Sequence, residues 1–347
     1  MSLYDKLLHA LTHYPIDELG ILPCAPNLSE IPSDAQQYYP LLVVGCKLGF
    51  SFDQWMVLLK ETQELFNDYR LHHFEVLDMT DTLEQLTRVM VLLKPDNYTA
   101  MNIRKQMVVR GQVSIPEELK LIELMFTIAK HTKSSIAWYH RQWLFTFNNK
   151  QHMNDMDMER EIQLCQRCIT LHPRNYYAWN YRQWLVALMI ERDNGILQQE
   201  YHSTCQWMEK NISDHTGIRH LEFILDKWMV SLSTSSSIQS SPQGSTLLSD
   251  HHHQRQIIQS HVAWLTALLL RYPGHESLWC HQRFCATLWF QYRDNDKQWT
   301  DWANQQHRFI QQILDNENEQ HQSLDLSNYQ QQLGFSSKYG LWLCFMK

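Results

Sequence analysis

The segment Leu171–Leu188, LHPRNYYAWNYRQWLVAL, restricts the chain to a narrow set of folds. It breaks a helix at Pro173, restarts one at Asn175, and sets Ala178, Trp179, Tyr181, Arg182, Leu185, Val186 and Met189 along one wide face at helical spacing. A guanidinium in the middle of such a face needs a partner or a route out of the core. The pattern is not isolated. Ala137, Trp138, Arg141, Gln142, Trp143 and Leu144 repeat Ala178, Trp179, Arg182, Gln183, Trp184 and Leu185 at an offset of 41 positions. Another 37 positions before Arg141, the run Pro95–Arg104 keeps Pro95, Asn97, Tyr98, Ala100 and Arg104, with Met101 in the tryptophan place. Ser213–Phe223 and Tyr272–Phe284 are fourth and fifth copies, with Leu221 and Gln282 at the arginine position. Periods near 40 with one breaker and one restart per unit predict an all-α chain of stacked antiparallel helical hairpins.

Helix signals mark out the units. Asp78–Leu93 leads the first hairpin and Asn97 starts its second helix; Ser114-Ile115-Pro116-Glu117 starts the next, since serine at the N-cap and glutamate three residues on can satisfy two backbone donors reciprocally. Glu159–Thr170 leads the third. Leu221 and Gln282 lie 61 positions apart, and the excess falls in SLSTSSSIQSSPQGSTLLSD, residues 231–250, whose Ser, Pro and Gly content predicts a flexible loop between helices. Residues 1–75 precede the repeats: a short amphipathic helix over Tyr4–Tyr14, an irregular stretch over Asp17–Pro40, and helix-prone sequence over Leu41–Tyr69. The repeats occupy 76–290, and 291–347 hold a helix over Trp299–Leu314, a Gln- and Asn-rich tail from Asp315, and a short apolar end, Tyr339–Met346.

Composition limits the function classes. With 30 basic and 37 acidic residues and no basic block, nucleic acid and anionic membranes are poor partners. No apolar stretch approaches the roughly 20 residues of a membrane span, and the first residues lack a secretory pattern, so the expectation is a soluble cytoplasmic chain. Eight scattered cysteines suit reduced thiols. No metal ligands are singled out. Cys165 and Cys168 form a lone Cys-x-x-Cys within a predicted helix, His251–His253 is a short run beside the Ser-rich loop, and His220-Leu221-Glu222 lacks the Pro-Cys-x-x-Cys of a deaminase.

The Pro-x-Asn-Tyr-x-x-Trp-x-x-Arg pattern of Pro173, Asn175, Tyr176, Trp179 and Arg182, supported by the other copies, resembles the repeat of protein prenyltransferase alpha subunits over roughly residues 78–290. That resemblance implies a right-handed, crescent-shaped solenoid, an alpha-alpha superhelix that wraps a catalytic beta subunit. Asp17–Cys24, Lys47-Leu48-Gly49, Ser213–Gly217, Pro273–Glu276 and Leu278–His281 resemble the branch of the family that forms geranylgeranyltransferase type III. The implied partner is the beta subunit of Rab geranylgeranyltransferase, and the implied reaction attaches geranylgeranyl to a C-terminal cysteine of a protein such as a SNARE or F-box protein. Geranylgeranyl diphosphate would be the co-substrate and zinc would sit on the beta subunit, with no cofactor on this chain.

By the same resemblance Lys133 matches a lysine that faces the diphosphate; read from the residues alone it is a solvated turn lysine. Asn97, Tyr98, Arg174, Asn175, Tyr176 and Tyr177 match positions at the active-site rim, although Asn97 and Asn175 are also natural N-caps. Trp138, Arg141, Trp179, Arg182 and Trp279 recur as a solenoid core requires and are assigned to structure, with the carboxylate partners of the arginines open because acidic residues keep no constant offset. Ser135 departs from the repeat tyrosine, and Ile136 stands where farnesyltransferase relatives carry a glutamine that reads the substrate carboxylate. The alternative function is a helical-repeat scaffold that binds a partner without catalysis.

Overall fold

A computed structural model describes residues 1–72, 81–147, 155–193, 195–238, 251–315 and 326–346. The chain divides into two compact units, Met1–Leu185 and Val186–Lys347. Helical hairpins build both, the class that the repeat period implies. Among the described residues no helix is long and apolar enough to cross a membrane.

The first unit opens with α1 (Leu3–His13), started by a capping box in which Ser2 Oγ accepts from the Asp5 amide at 3.1 Å and the Asp5 carboxylate accepts from the Ser2 amide at 3.0 Å. The next segment departs from the helix-prone expectation for Leu41–Tyr69. Strands β1 (Glu18–Leu22), β2 (Leu42–Val44) and β3 (Lys47–Ser51) form a small sheet in the order β1-β3-β2, β1 parallel and β2 antiparallel to β3. The cause is local. Val43 and Val44 favour extended backbone, and Gly45, at φ 57°, closes a two-residue turn with Cys46 that pairs Val44 with Lys47. The sheet buries Leu19, Val43, Leu48 and Phe50, and only then does α2 (Phe52–His72) begin.

Three hairpins follow: α3 (Asp81–Leu93) with α4 (Tyr98–Val109), α5 (Ile115–Met125) with α6 (Ser135–Phe147), and α7 (Asp155–Leu171) with α8 (Tyr176–Ile190). The expected start of the leading helix at Asp78 lies outside the described residues. Ser114 and Glu117 form a capping box at the start of α5, with Pro116 in the first turn where its missing N–H costs nothing. Like packs on like: α3 lies against α5, and α4 against α6. Fully buried Ala137 and Ala178 let neighbouring aromatics close in, so that Trp138 stacks on Phe126 at 4.4 Å and meets Tyr181 at 5.0 Å.

The second unit holds the end of α8, then α9 (Gly195–Lys210), α10 (His215–Ile238), α11 (His252–Arg271), α12 (Glu276–Gln291), α13 (Asp296–Asp315) and α14 (Leu326–Phe345). Two expectations change. Residues 231–238, expected to open a flexible loop, instead continue α10 to Ile238; Ser231 and Ser233 return their hydroxyls to the carbonyls of Trp228 and Met229, which keeps serine compatible with a helix. Residues 239–250 lie outside the described residues. The polar C-terminal tail contains the helix α14, packed on α12 and α13. Its order comes from buried Gln332, whose Oε1 accepts from Trp279 Nε1 at 2.9 Å and from the Gly274 amide at 3.0 Å, while its Nε2 donates to the Leu269 carbonyl. Gly274 allows this approach: a Cβ there would stand 2.8 Å from the Asn328 carbonyl oxygen.

Candidate functional site: a row of hairpin turns

Arg104 and Arg141, two of the repeat arginines, have carboxylate partners at different sequence offsets but in one spatial relation. Arg104 on α4 clamps Glu118 on α5, with Nη2 to Oε2 at 2.6 Å, and its Nη1 reaches Glu84 at 3.1 Å. Arg141 on α6 clamps Glu161 on α7 at 2.6 and 2.5 Å, and also donates to Glu123 and to the Leu119 carbonyl, both at 2.9 Å. Each arginine thus ties one hairpin to the leading helix of the next. Loop lengths differ between hairpins, which hides the relation in sequence. Arg182 donates to Gln166 at 3.0 Å and lies over the Trp179 ring. Arg141 and Arg182 are buried, as are Trp138 and Trp179. Trp279, in the second unit, is buried beside Phe309 and Tyr339. Burial alone would raise the Glu118 pKa, but the Arg104 guanidinium and His140 outweigh it and hold the carboxyl at about 2.

The turns between paired helices are laced to one another along one edge of this unit. Ser134 Oγ donates to Asp96 Oδ1 at 2.6 Å, joining the second turn to the first. Asn175 Nδ2 donates to the Thr132 carbonyl and hydroxyl at 2.8 and 3.0 Å, joining the third turn to the second, while its Oδ1 caps α8 by accepting from the Ala178 amide. Trp138 Nε1 donates to the same Thr132 carbonyl at 2.7 Å. Asn97 caps α4 through the Ala100 amide at 3.0 Å. Asn175 is therefore fully buried, a positioning group whose side chain faces its neighbours in the fold.

Lys133 closes the 3-10 turn that this lacing holds, and its side chain is exposed, with no carboxylate in ion-pair range among the described residues. Arg174 is also exposed, in the left-handed region at φ 62°, a conformation that costs a non-glycine residue roughly 1 kcal/mol. Tyr98 and Tyr176 are exposed, and Tyr177 is half-buried with its ring edge-on to Tyr176 at 5.4 Å. The row thus gathers Asp96, Asn97, Tyr98, Lys133, Arg174, Tyr176 and Tyr177 on successive turns of one unit. Cys165 and Cys168 sit apart from it, buried on α7; burial pushes the Cys168 thiol up to about 12 and raises that of Cys165 well above the ordinary thiol value, so both stay protonated and inert.

His131, two residues before Lys133, is buried edge-on against Trp55 on α2, and desolvation lowers its pKa from 6.5 to about 4. A histidine with a depressed folded-state pKa stabilises the fold fully above its unfolded value and loses that contribution as pH falls from about 6.5 through about 4. The first unit is expected to lose about 3 kcal/mol over that window. Urea unfolding at several pH values checks this: His131→Phe should flatten the slope, and an equally steep slope in that variant would exclude His131 as its source.

Residues 115–147 and 158–189 match the protein prenyltransferase alpha subunit repeat. They coincide with the α5–α6 and α7–α8 hairpins. The fold and its laced turns define a helical-hairpin repeat protein, two of whose hairpins carry the protein prenyltransferase alpha subunit repeat. It is similar to the Protein prenyltransferase alpha subunit repeat-containing protein 1 of Danio rerio, 29% identical over 308 residues that cover 80% of this chain and 69% of the relative. The Homo sapiens protein of the same name is 29% identical over 307 residues, covering 77% and 72%. The Xenopus laevis form 1-B is 26% identical over 310 residues, covering 77% and 67%.

Proposed function

We propose that the chain is the alpha-type, non-zinc subunit of a cytoplasmic, heterodimeric protein geranylgeranyltransferase that works with the beta subunit of Rab geranylgeranyltransferase. The observation that carries this reading is the exposed Lys133 ammonium on a turn fixed from both sides by Asp96–Ser134 and Thr132–Asn175. Forming a thioether from a prenyl diphosphate breaks a carbon–oxygen bond, and negative charge grows on the departing diphosphate. A rigidly held cation at those oxygens lowers the barrier because it needs no reorganisation as that charge develops. Lys133 fills this role, and Asn97, Tyr98, Arg174 and Tyr177 supply donors at the rim.

Apart from the Asp96 carboxylate, which accepts from Ser134, the turn row offers ammonium, guanidinium, amide and phenol groups, which suit diphosphate oxygens and not zinc. An open groove of 610 Å³ elsewhere in this unit sets Asp17, Glu18, Lys120, Glu123 and Arg167 beside Ile16, Leu124 and Leu171, so charged groups interrupt the apolar track that a long isoprenoid needs. Both features support a partner that carries the zinc, the lipid pocket and the thiolate of the substrate's C-terminal cysteine. A SNARE or F-box protein is the substrate class this reading favours.

Co-expression with the beta subunit of Rab geranylgeranyltransferase tests the reading. The expected result is a one-to-one complex on size exclusion that transfers geranylgeranyl from its diphosphate to a substrate thiol, when neither chain does so alone. A helical-repeat scaffold is the second reading, favoured by Tyr98, Tyr139 and Tyr176, which are 67%, 65% and 56% exposed and are of the type that anchors protein interfaces. A complex that forms but transfers nothing to any C-terminal cysteine substrate would select it, and failure to form a complex would remove the beta-subunit assignment.

A further inference from the structure

In three hairpins the residue immediately before the repeat-arginine position bonds a carboxylate on its own leading helix: His140 with Glu118 at 2.9 Å, Tyr181 with Glu161 at 2.8 Å, and His220 with Glu200 at 2.6 Å. The hairpin of α11 and α12 breaks the rule in one respect. His281 holds the same place on α12, but the residue facing it from α11 is a second imidazole, His261, and the two Nε2 atoms stand 2.7 Å apart. Both rings are buried, so water does not separate them.

Their outer nitrogens are already engaged. His281 Nδ1 lies 3.3 Å from Glu222 Oε1, and His261 Nδ1 lies 2.9 Å from the Tyr201 hydroxyl. An ionised carboxylate only accepts, so His281 carries its proton on Nδ1 and turns a bare Nε2 lone pair toward His261. Cys285 follows one turn later on α12, buried, and its Sγ and one nitrogen of each ring all lie within 4.8 Å of one another.

We propose that His261, His281 and Cys285 form a buried site for a single closed-shell d10 cation, zinc(II) or copper(I). Imidazole and thiolate are the ligands both ions select. Metal-bound histidines typically donate their second nitrogen to a carboxylate or another acceptor that fixes ring and tautomer, and Glu222 and Tyr201 stand in those places. The protons balance. Without metal, His261 holds its proton on Nε2 and donates it to His281. On binding, that proton moves to His261 Nδ1, where the Tyr201 oxygen accepts it, and the Tyr201 hydroxyl proton turns toward the nearby Cys205 sulfur. The Cys285 thiol proton leaves to solvent, and no oxidant or reductant is needed. The cation would pin α11 to α12 in the hairpin where the usual carboxylate rung is missing.

The test uses the full-length chain carrying a tag without histidines, purified under reducing conditions, with metal measured by inductively coupled plasma mass spectrometry. Wild type should hold about one equivalent per chain, and the zinc-to-copper ratio identifies which ion it takes. Cobalt(II) loading should give a near-ultraviolet thiolate-to-cobalt charge-transfer band. Both signals should survive in His252→Ala/His253→Ala, which removes exposed histidines outside the site, and vanish in Cys285→Ala. His261→Gln keeps a side-chain donor for His281 Nε2 but supplies no imidazole or carboxylate ligand, so it should fold normally by circular dichroism yet bind no metal and gain no thermal stability from it. Absence of the band and only substoichiometric metal in loaded wild type would overturn the site. So would metal that persists in His261→Gln and Cys285→Ala, or that disappears in the double surface variant.

Discussion

Arg141→Ala is expected to destabilise the Met1–Leu185 unit by about 3–5 kcal/mol, the largest stability effect of any single substitution considered for this chain. Arg141 is fully buried, and four of its hydrogen bonds go to Glu161, Glu123 and the Leu119 carbonyl. Truncation leaves Glu161, itself buried, as an anion held among the described residues by the Tyr181 hydroxyl at 2.8 Å, and it opens a void where the side chain lay. The loss does not measure what the pair contributes over an apolar alternative. Replacing both members, Arg141→Met with Glu161→Leu, removes the stranded charge together with its partner and should recover most of the stability. Arg141→Lys should not, because an ammonium cannot bridge two carboxylates and a carbonyl with the fixed geometry of a guanidinium. Urea unfolding followed by tryptophan fluorescence measures all three. A loss below about 1 kcal/mol for Arg141→Ala, the level of an exposed pair, would mean that the buried ladder does not hold the hairpins together.

The hairpins were legible because Ala, Trp and Arg return at helical spacing around one breaker, and that spacing fixes which face of each helix is buried. The partners of the arginines were not legible, since Glu118 follows Arg104 by 14 positions and Glu161 follows Arg141 by 20 while meeting it in the same way. Their relation is set by helix packing, which loops of unequal length erase from sequence. The sheet could have been found: Val43-Val44-Gly45-Cys46 alternates around a turn residue, but the apolar run on either side also fits a helix. The helix α14 showed only in its short apolar end, where Tyr339 and Leu343 are buried; its polar first half is fixed by Gln332 reaching Trp279 and Gly274 from 53 and 58 positions away. The site shows the same division. Lys133 and Arg174 stand out as cations beside helix breakers, whereas the lacing of Asp96 to Ser134 and Thr132 to Asn175 joins residues about one repeat apart. The His261, His281 and Cys285 cluster left only a weak mark, a histidine and a cysteine four apart with another histidine 20 positions earlier.

On the subunit function proposed above, Lys133→Ala in the heterodimer is expected to lower kcat for geranylgeranyl transfer by about 100-fold or more, the range found when one preorganised donor to a developing anion is removed. Its effect should fall on turnover and spare assembly. The side chain is exposed and outside the buried ladder, so the melting temperature and the elution volume of the complex should match wild type. The Michaelis constant for the protein substrate should also hold, because a cation that acts on charge developing in the transition state contributes less to ground-state binding. Lys133→Arg should retain part of the activity, since the charge persists while its position changes. Arg174→Ala offers the contrast: a rim cation that helps to hold the ground-state diphosphate should raise the Michaelis constant for geranylgeranyl diphosphate more than it lowers kcat. These variants separate three roles that share one row of turns. Unchanged kcat in Lys133→Ala with an intact complex removes the lysine from the mechanism and leaves its turn as a docking surface. Loss of the complex itself would instead assign Lys133 to the subunit interface.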